Sequence, residues 1–214
     1  MRIFRLALAI LFVACSERCV ALSGAPAMKR LLIIGAAKGY RHEAVSHAAA
    51  TIERLGRESG LWSTTIRTDT EALTKKKLEY NAKNLNDFDA PIVVEDANFP
   101  GMQQWPKEFV LKDEIYQMKD WTRENVRVLM RLDSEKIDLK NPQVHRKDRD
   151  FGVAWVKMYG KGRVYYSTLG HVEQNWDDPR LQQMYVGAIK WAIGLVDADV
   201  TPRALPGQTA GARN

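Results

Sequence analysis

Residues 151–194, FGVAWVKMYGKGRVYYSTLGHVEQNWDDPRLQQMYVGAIKWAIG, constrain the fold more tightly than any other stretch of the chain. From Phe151 to Met158 large apolar residues at 151, 153 and 155 alternate with smaller or polar neighbours, the period of a pleated strand. Tyr159-Gly160-Lys161-Gly162-Arg163 is a glycine-rich turn, and VYYSTL at 164–169 is a second β-branched and aromatic run. The pair reads as a β-hairpin. A polar loop carrying His171 follows, and then Asp177-Asp178-Pro179, where an aspartate caps orphan amides and proline suits a first helical turn. Leu181, Met184, Tyr185, Ala188, Ile189, Ala192 and Leu195 recur at helical spacing, with Gly194 as a stop. The stretch delivers an imidazole from a strand end towards a capped helix start, and in open α/β sheets ligands collect at such ends.

Upstream, LLIIGAA after Lys29-Arg30 is a continuous apolar run, the signature of a buried strand. A helix with Ala44, Ala48, Ile52 and Leu55 on one face follows, ended by Gly56 or Gly60, and Trp62 to Arg67 reads as a second strand. Strand, helix, strand is the rhythm of a parallel sheet with crossover helices. Residues 70–85 predict a short helix and a loop, and the Lys75-Lys76-Lys77 run is a solvated face. Pro91-Ile92-Val93-Val94 reads as a strand in which the proline argues against a central position. Residues 103–110 read as loop, and 126–132 as another strand.

The 214 residues suffice for one domain with a substantial core. Met1 to Cys15 has Arg2 and Arg5 flanking an apolar run, with small residues leading to Ala25-Pro26-Ala27. That is the three-part layout of a secretory signal, too short to span a membrane. The expected organisation is a signal peptide over 1–27, an α/β domain over 28–196 and a disordered tail over 197–214, in a secreted or periplasmic protein. Phe12-Val13-Ala14-Cys15 also resembles a lipoprotein box, so anchoring at Cys15 is an alternative to simple cleavage. Arg2, Arg5 and Arg18 leave with the leader against Glu17, so two of the formal six positive charges go; the mildly basic remainder is no nucleic-acid footprint. Cys15 and Cys19 also go, which excludes thiolate chemistry from the mature chain.

Several motifs are ruled out by spacing. His42 and His47 are five apart, whereas the zinc-protease pair is four apart on one helix face. No G-x-S-x-G elbow or phosphate-binding G-x-x-x-x-G-K-[ST] loop occurs. What remains is dispersed: Arg41, His42 and Glu43 after the first strand, Asp113 and Glu114 in mid-chain, and His171 after the last strand. Imidazole with carboxylate is a kit for general acid–base work, and it equally suits a divalent metal. Trp105, Trp121, Trp155 and Trp176 offer either a sugar-stacking face or core packing.

Taken together, RHE after the first strand, DEIYQMKDW, VLMRLD, HRKDRDFGVAW and YGKGRVYYSTLGH followed by the W-x-DPR-x-QQM-x-x-G-x-IKWA pattern resemble the ThuA-like, or trehalose-utilisation, family. The resemblance is loose over residues 30–90 and close over 91–195. It implies a doubly wound, mostly parallel α/β sheet with flanking helices, similar to class I glutamine amidotransferases, and an exported protein that binds or processes a carbohydrate or sugar derivative. A non-catalytic sugar-binding module, or a degenerate family member, is the competing expectation, and homo-oligomers are compatible with either. By position the resemblance implies His42, His171, Glu43 and Glu114 as the proton-transferring or ligating set, with Arg41, Asp113, Tyr116 and Trp176 around the ligand. It also implies a further segment between Ala90 and Pro91, with a central strand and a glycine-rich turn, which this chain lacks. Its loss predicts a weakly covered edge near Ile92 to Val94.

Overall fold

The computed structural model describes residues 27–36, 42–68, 83–119 and 121–205. The leader with Cys15 and Cys19, Arg41, the Lys75-Lys76-Lys77 run and residues from 206 onward lie outside the described residues. In chain order the elements are β1 (Lys29–Ile34), α1 (Ala44–Ser59), β2 (Trp62–Arg67), β3 (Lys83–Val94), β4 (Glu108–Gln117), β5 (Arg127–Leu132), β6 (Gly152–Tyr159), β7 (Gly162–Ser167) and α2 (Pro179–Ala192). Short 3-10 turns lie at Arg123–Asn125 and Glu173–Asp177.

β1 and β2 pair in parallel across α1, the crossover unit expected from the rhythm of the sequence. The rest departs from the expected doubly wound parallel sheet. β4, β3, β5, β6 and β7 form a five-stranded sheet in that order, and every neighbouring pair in it is antiparallel. The reason lies in the connections. A parallel pair needs a crossover of a dozen or more residues, usually a helix, whereas among the described residues no α-helix intervenes between β3 and β7. The fold is α/β, with a curled, mostly antiparallel sheet and, among the described residues, two α-helices.

Pro91 lies inside this sheet, against expectation, because β3 runs between β4 and β5. The ladder to β5 starts one residue later, at Ile92 opposite Leu132, and Pro91 contributes only its carbonyl, which accepts from Asp133 N at 2.9 Å. A residue without an N–H is tolerated where the ladder asks it for an acceptor alone. Ile92 to Val94 are consequently buried between two strands, and the weak edge expected there is absent. The open apolar strand is β1 instead. Its LLII run is half-exposed, with Leu32 43% accessible, because β1 is paired only with β2 among the described residues.

α2 forms where its signals place it. Asp178 Oδ1 accepts from Arg180 N at 2.8 Å, Pro179 opens the helix, and Gly194 takes the left-handed conformation just beyond its end. Leu181, Met184 and Trp191 are fully buried against Ile92, Val94, Leu132 and Val153 of the sheet and Phe99 and Met102 of the turn after β3. Each such side chain contributes about 1.5–3 kcal/mol of apolar burial. The helix can come this close because Gly187 meets backbone: a Cβ there would lie 2.3 Å from Pro100 O.

A belt of buried ion pairs braces β5. Arg123 grips Asp150 through two bonds of 2.7 and 2.6 Å and Glu95 through two of 2.7 and 3.1 Å. Arg127 holds Asp96 at 2.6 Å, Asp199 at 3.1 Å and the Thr201 carbonyl at 3.0 Å. Arg163 adds the Val196 carbonyl and Asp197. Residues 196–201, most of which the composition assigns to the tail, are thus tied onto the domain.

Candidate functional site

The sheet curls until β4 meets the chain leaving β7. Thr168 Oγ1 accepts from Tyr116 N at 3.0 Å and donates to the Glu114 carbonyl at 3.1 Å, joining the two ends of the five-strand order. This closure carries the residues that the sequence left dispersed.

Asp113 is fully buried and accepts five hydrogen bonds. Its Oδ1 takes the amides of Glu114, His171 and Val172 at 3.0, 3.0 and 3.1 Å, and its Oδ2 takes Gly170 N at 2.7 Å and Asn175 Nδ2 at 3.0 Å. Burial pushes this carboxyl above the usual carboxylate range, and the amide donors pull it back down. The carboxylate holds the His171 loop by its backbone. Two more bonds brace the loop: Trp176 Nε1 donates to Gly170 O at 2.9 Å and Tyr185 OH to Leu169 O at 2.9 Å. Burial raises the Tyr185 hydroxyl far above its ordinary value, so it stays a neutral donor.

With its backbone fixed, His171 places Nδ1 2.9 Å from Glu114 Oε2, both side chains being largely buried. A carboxylate oxygen accepts, so the Nδ1 edge of the ring is the one that donates towards Glu114. The His42 ring lies edge-on to this imidazole, with centroids 4.2 Å apart. One histidine before α1 and one after β7 are thereby brought together with a carboxylate from β4.

The other sequence-selected residues take different places. Glu43 is exposed at the N-terminus of α1, where its carbonyl accepts from Ser46 N. Tyr116 is half-buried on β4 beside Thr168. Trp176 is 5% accessible and stacks on Tyr185 at 4.7 Å, inside the core. The four tryptophans do not share a face: Trp105 and Trp176 belong to the main core, while Trp121 and Trp155 pack in a separate cluster with Val126 and Val128. Among the described residues no group of three or more His, Cys, Asp or Glu is placed to hold a metal ion.

Sequence reasoning missed two participants. Asn175 anchors on Asp113 and on the Lys112 carbonyl, and nothing in a polar loop distinguishes it beforehand. His47, considered only as a zinc ligand, lies between Glu173 and Asp177, with Nδ1 3.2 Å from Glu173 Oε1 and Nε2 3.0 Å from Asp177 Oδ1. The recurrence of two carboxylates four residues apart was the available signal, but their partner lies over a hundred positions away.

Among curated proteins none matches the chain. A structural relative is a ThuA-like protein from Bacteroides uniformis, 18% identical, with a TM-score of 0.61 over 80% of this chain and 93% of that one. The two share a fold. The family model for ThuA, described as trehalose utilisation, matches residues 80–192, the span from β3 to the end of α2 that contains Asp113, Glu114 and His171. That span is more than half of the chain, and the chain belongs to the ThuA family.

Proposed function

We propose that this protein binds a carbohydrate or sugar derivative at the closure of the sheet and acts on it by acid–base chemistry, with His171 as the proton-transferring group. The observation that carries this reading is the contact between His171 Nδ1 and Glu114 beside the His42 ring. A carboxylate on Nδ1 fixes the tautomer and orientation of the imidazole and stabilises its protonated form, the arrangement a general base needs. His42 supplies a second titratable ring at contact distance, suited to hand a proton to or from a hydroxyl bridging the two. Sugars offer such hydroxyls, and the family description points to the same substrate class. Arg41 and Tyr116 are proposed ligand contacts, Asp113 and Trp176 supports of the loop.

The test is incubation of the purified protein with a panel of mono- and disaccharides, trehalose included, with products followed by NMR. Conversion of a sugar by the wild type and its loss in His171→Ala supports the reading. Equal conversion by both proteins contradicts it. Sugar binding without conversion, unaffected by either histidine, would establish the non-catalytic alternative. The reading extends to location: we propose export directed by residues 1–27, and N-terminal sequencing of protein from the cell envelope should show a start after Ala14 or near residue 28. An intact Met1 would refute it.

A further inference from the structure

We propose that His47 is a positioning residue that fixes the distance between the His42 and His171 rings, an inference that rests on the acid–base reading of that pair. His42 precedes α1 in the β1–α1–β2 unit, and His171 follows β7 in the five-stranded sheet. No strand ladder joins the two sheets among the described residues. The relative placement of the two imidazoles therefore depends on how α1 sits against the turn at 173–177 and against α2. Ala44, Ala48 and Ile52 press α1 onto the core, but apolar contact is non-directional and allows sliding. Direction comes from polar contacts. Arg54 donates to Gln182 at 3.2 Å further along the helix, and His47 provides a contact one turn from His42.

The His47 geometry suits a clasp. One ring nitrogen faces Glu173 and the other Asp177, two carboxylates on successive faces of a single short turn. The bonded backbone on both sides is short. His47 N donates to the Glu43 carbonyl, adjacent to His42, and Val172, next to Glu173, is pinned to Asp113. Movement of α1 along the turn would break both imidazole contacts and carry His42 away from His171. With both nitrogens occupied by acidic oxygens, His47 is itself placed to orient and not to exchange protons with a substrate.

The test uses the full chain with labelled histidines and reads the NMR cross-peak between the ring protons of His42 and His171. Loss of the cross-peak in His47→Ala, at a temperature where its circular dichroism matches the wild type, and its return in His47→Arg, which offers donors to both carboxylates, are the expected results. A purely stabilising histidine would lower the melting temperature and leave the cross-peak in place, and that outcome overturns the proposal. Should His47→Ala fail to fold, the double variant Glu173→Gln, Asp177→Asn on the accessible side of the clasp carries the same measurement. The cross-peak requires no sugar, so its persistence refutes positioning alone, whereas unchanged sugar conversion in His171→Ala refutes the acid–base reading alone.

Discussion

Asp113 shows how a single buried side chain converts a loop into a site. Five donors converge on one carboxylate, four of them backbone amides that no other group could satisfy in the same position. An amide in its place can accept at one oxygen only, and its NH2 would face donors. Asp113→Asn should therefore lower stability by on the order of 3 kcal/mol, since bonds to charged groups are worth about 1.5–3 kcal/mol each and buried donors left unpaired add to the cost. Chemical denaturation measures this. A loss under about 0.5 kcal/mol, within the ordinary range of surface substitutions, would mean that the loop is held by other means. At this scale the sequence displayed chemistry-bearing residue types without their spatial partners. His42, Glu114 and His171 were legible as chemistry-bearing types, and Asp113 was legible only as one more carboxylate, because its role is defined by amides contributed from a distant loop.

Elements were legible in proportion to how local their signals are. The β6–β7 hairpin and α2 are specified by a glycine turn, an aspartate cap and an apolar stripe, all contained within their own residues. β4 is different: Lys112, Asp113 and Glu114 interrupt its apolar pattern, since the strand supplies the site instead of only the core. The order of strands is not local at all, and the parallel rhythm of β1–α1–β2 misled because it does not continue past β3. Two predictions belong to α2. Gly187→Ala should destabilise by about 1–3 kcal/mol through overpacking against the Pro100–Gly101 backbone, and an unchanged melting temperature would show that the turn yields freely. Asp178 is held below its ordinary value by its bond to Arg180, so the ionised form is tighter in the folded chain than in the unfolded one. Its contribution is present above the unfolded value of about 3.9 and disappears as pH falls through the lower folded value. Asp178→Asn keeps a helix cap and removes that charge, so the variant should show a shallower loss of stability below about pH 4. An identical acid profile would place the acid sensitivity elsewhere, for instance at Asp133, whose carboxyl is lowered by Lys136.

The whole molecule combines a well-braced antiparallel sheet with a smaller parallel pair attached through α1. β1 has a strand partner on one side only among the described residues and shows Leu32 to solvent, and an exposed apolar strand of this kind is a template for pairing with another chain. Sedimentation at increasing concentration should reveal weak self-association that Leu32→Lys reduces; association unaffected by that charge would locate it on another surface. The proposed site spans both units, and among the described residues polar side-chain contacts such as those of His47 and Arg54 link them. Its core is the contact of His171 with Glu114, and turnover in Glu114→Gln tests that contact most directly. The substitution preserves shape and an acceptor for Nδ1 while removing the charge that stabilises a protonated imidazole. Conversion of the sugar identified with the wild type should fall by about 10²-fold or more, the scale of general acid–base catalysis, with the melting temperature nearly unchanged. Full turnover in Glu114→Gln at an unchanged melting temperature would contradict an acid–base role for the pair.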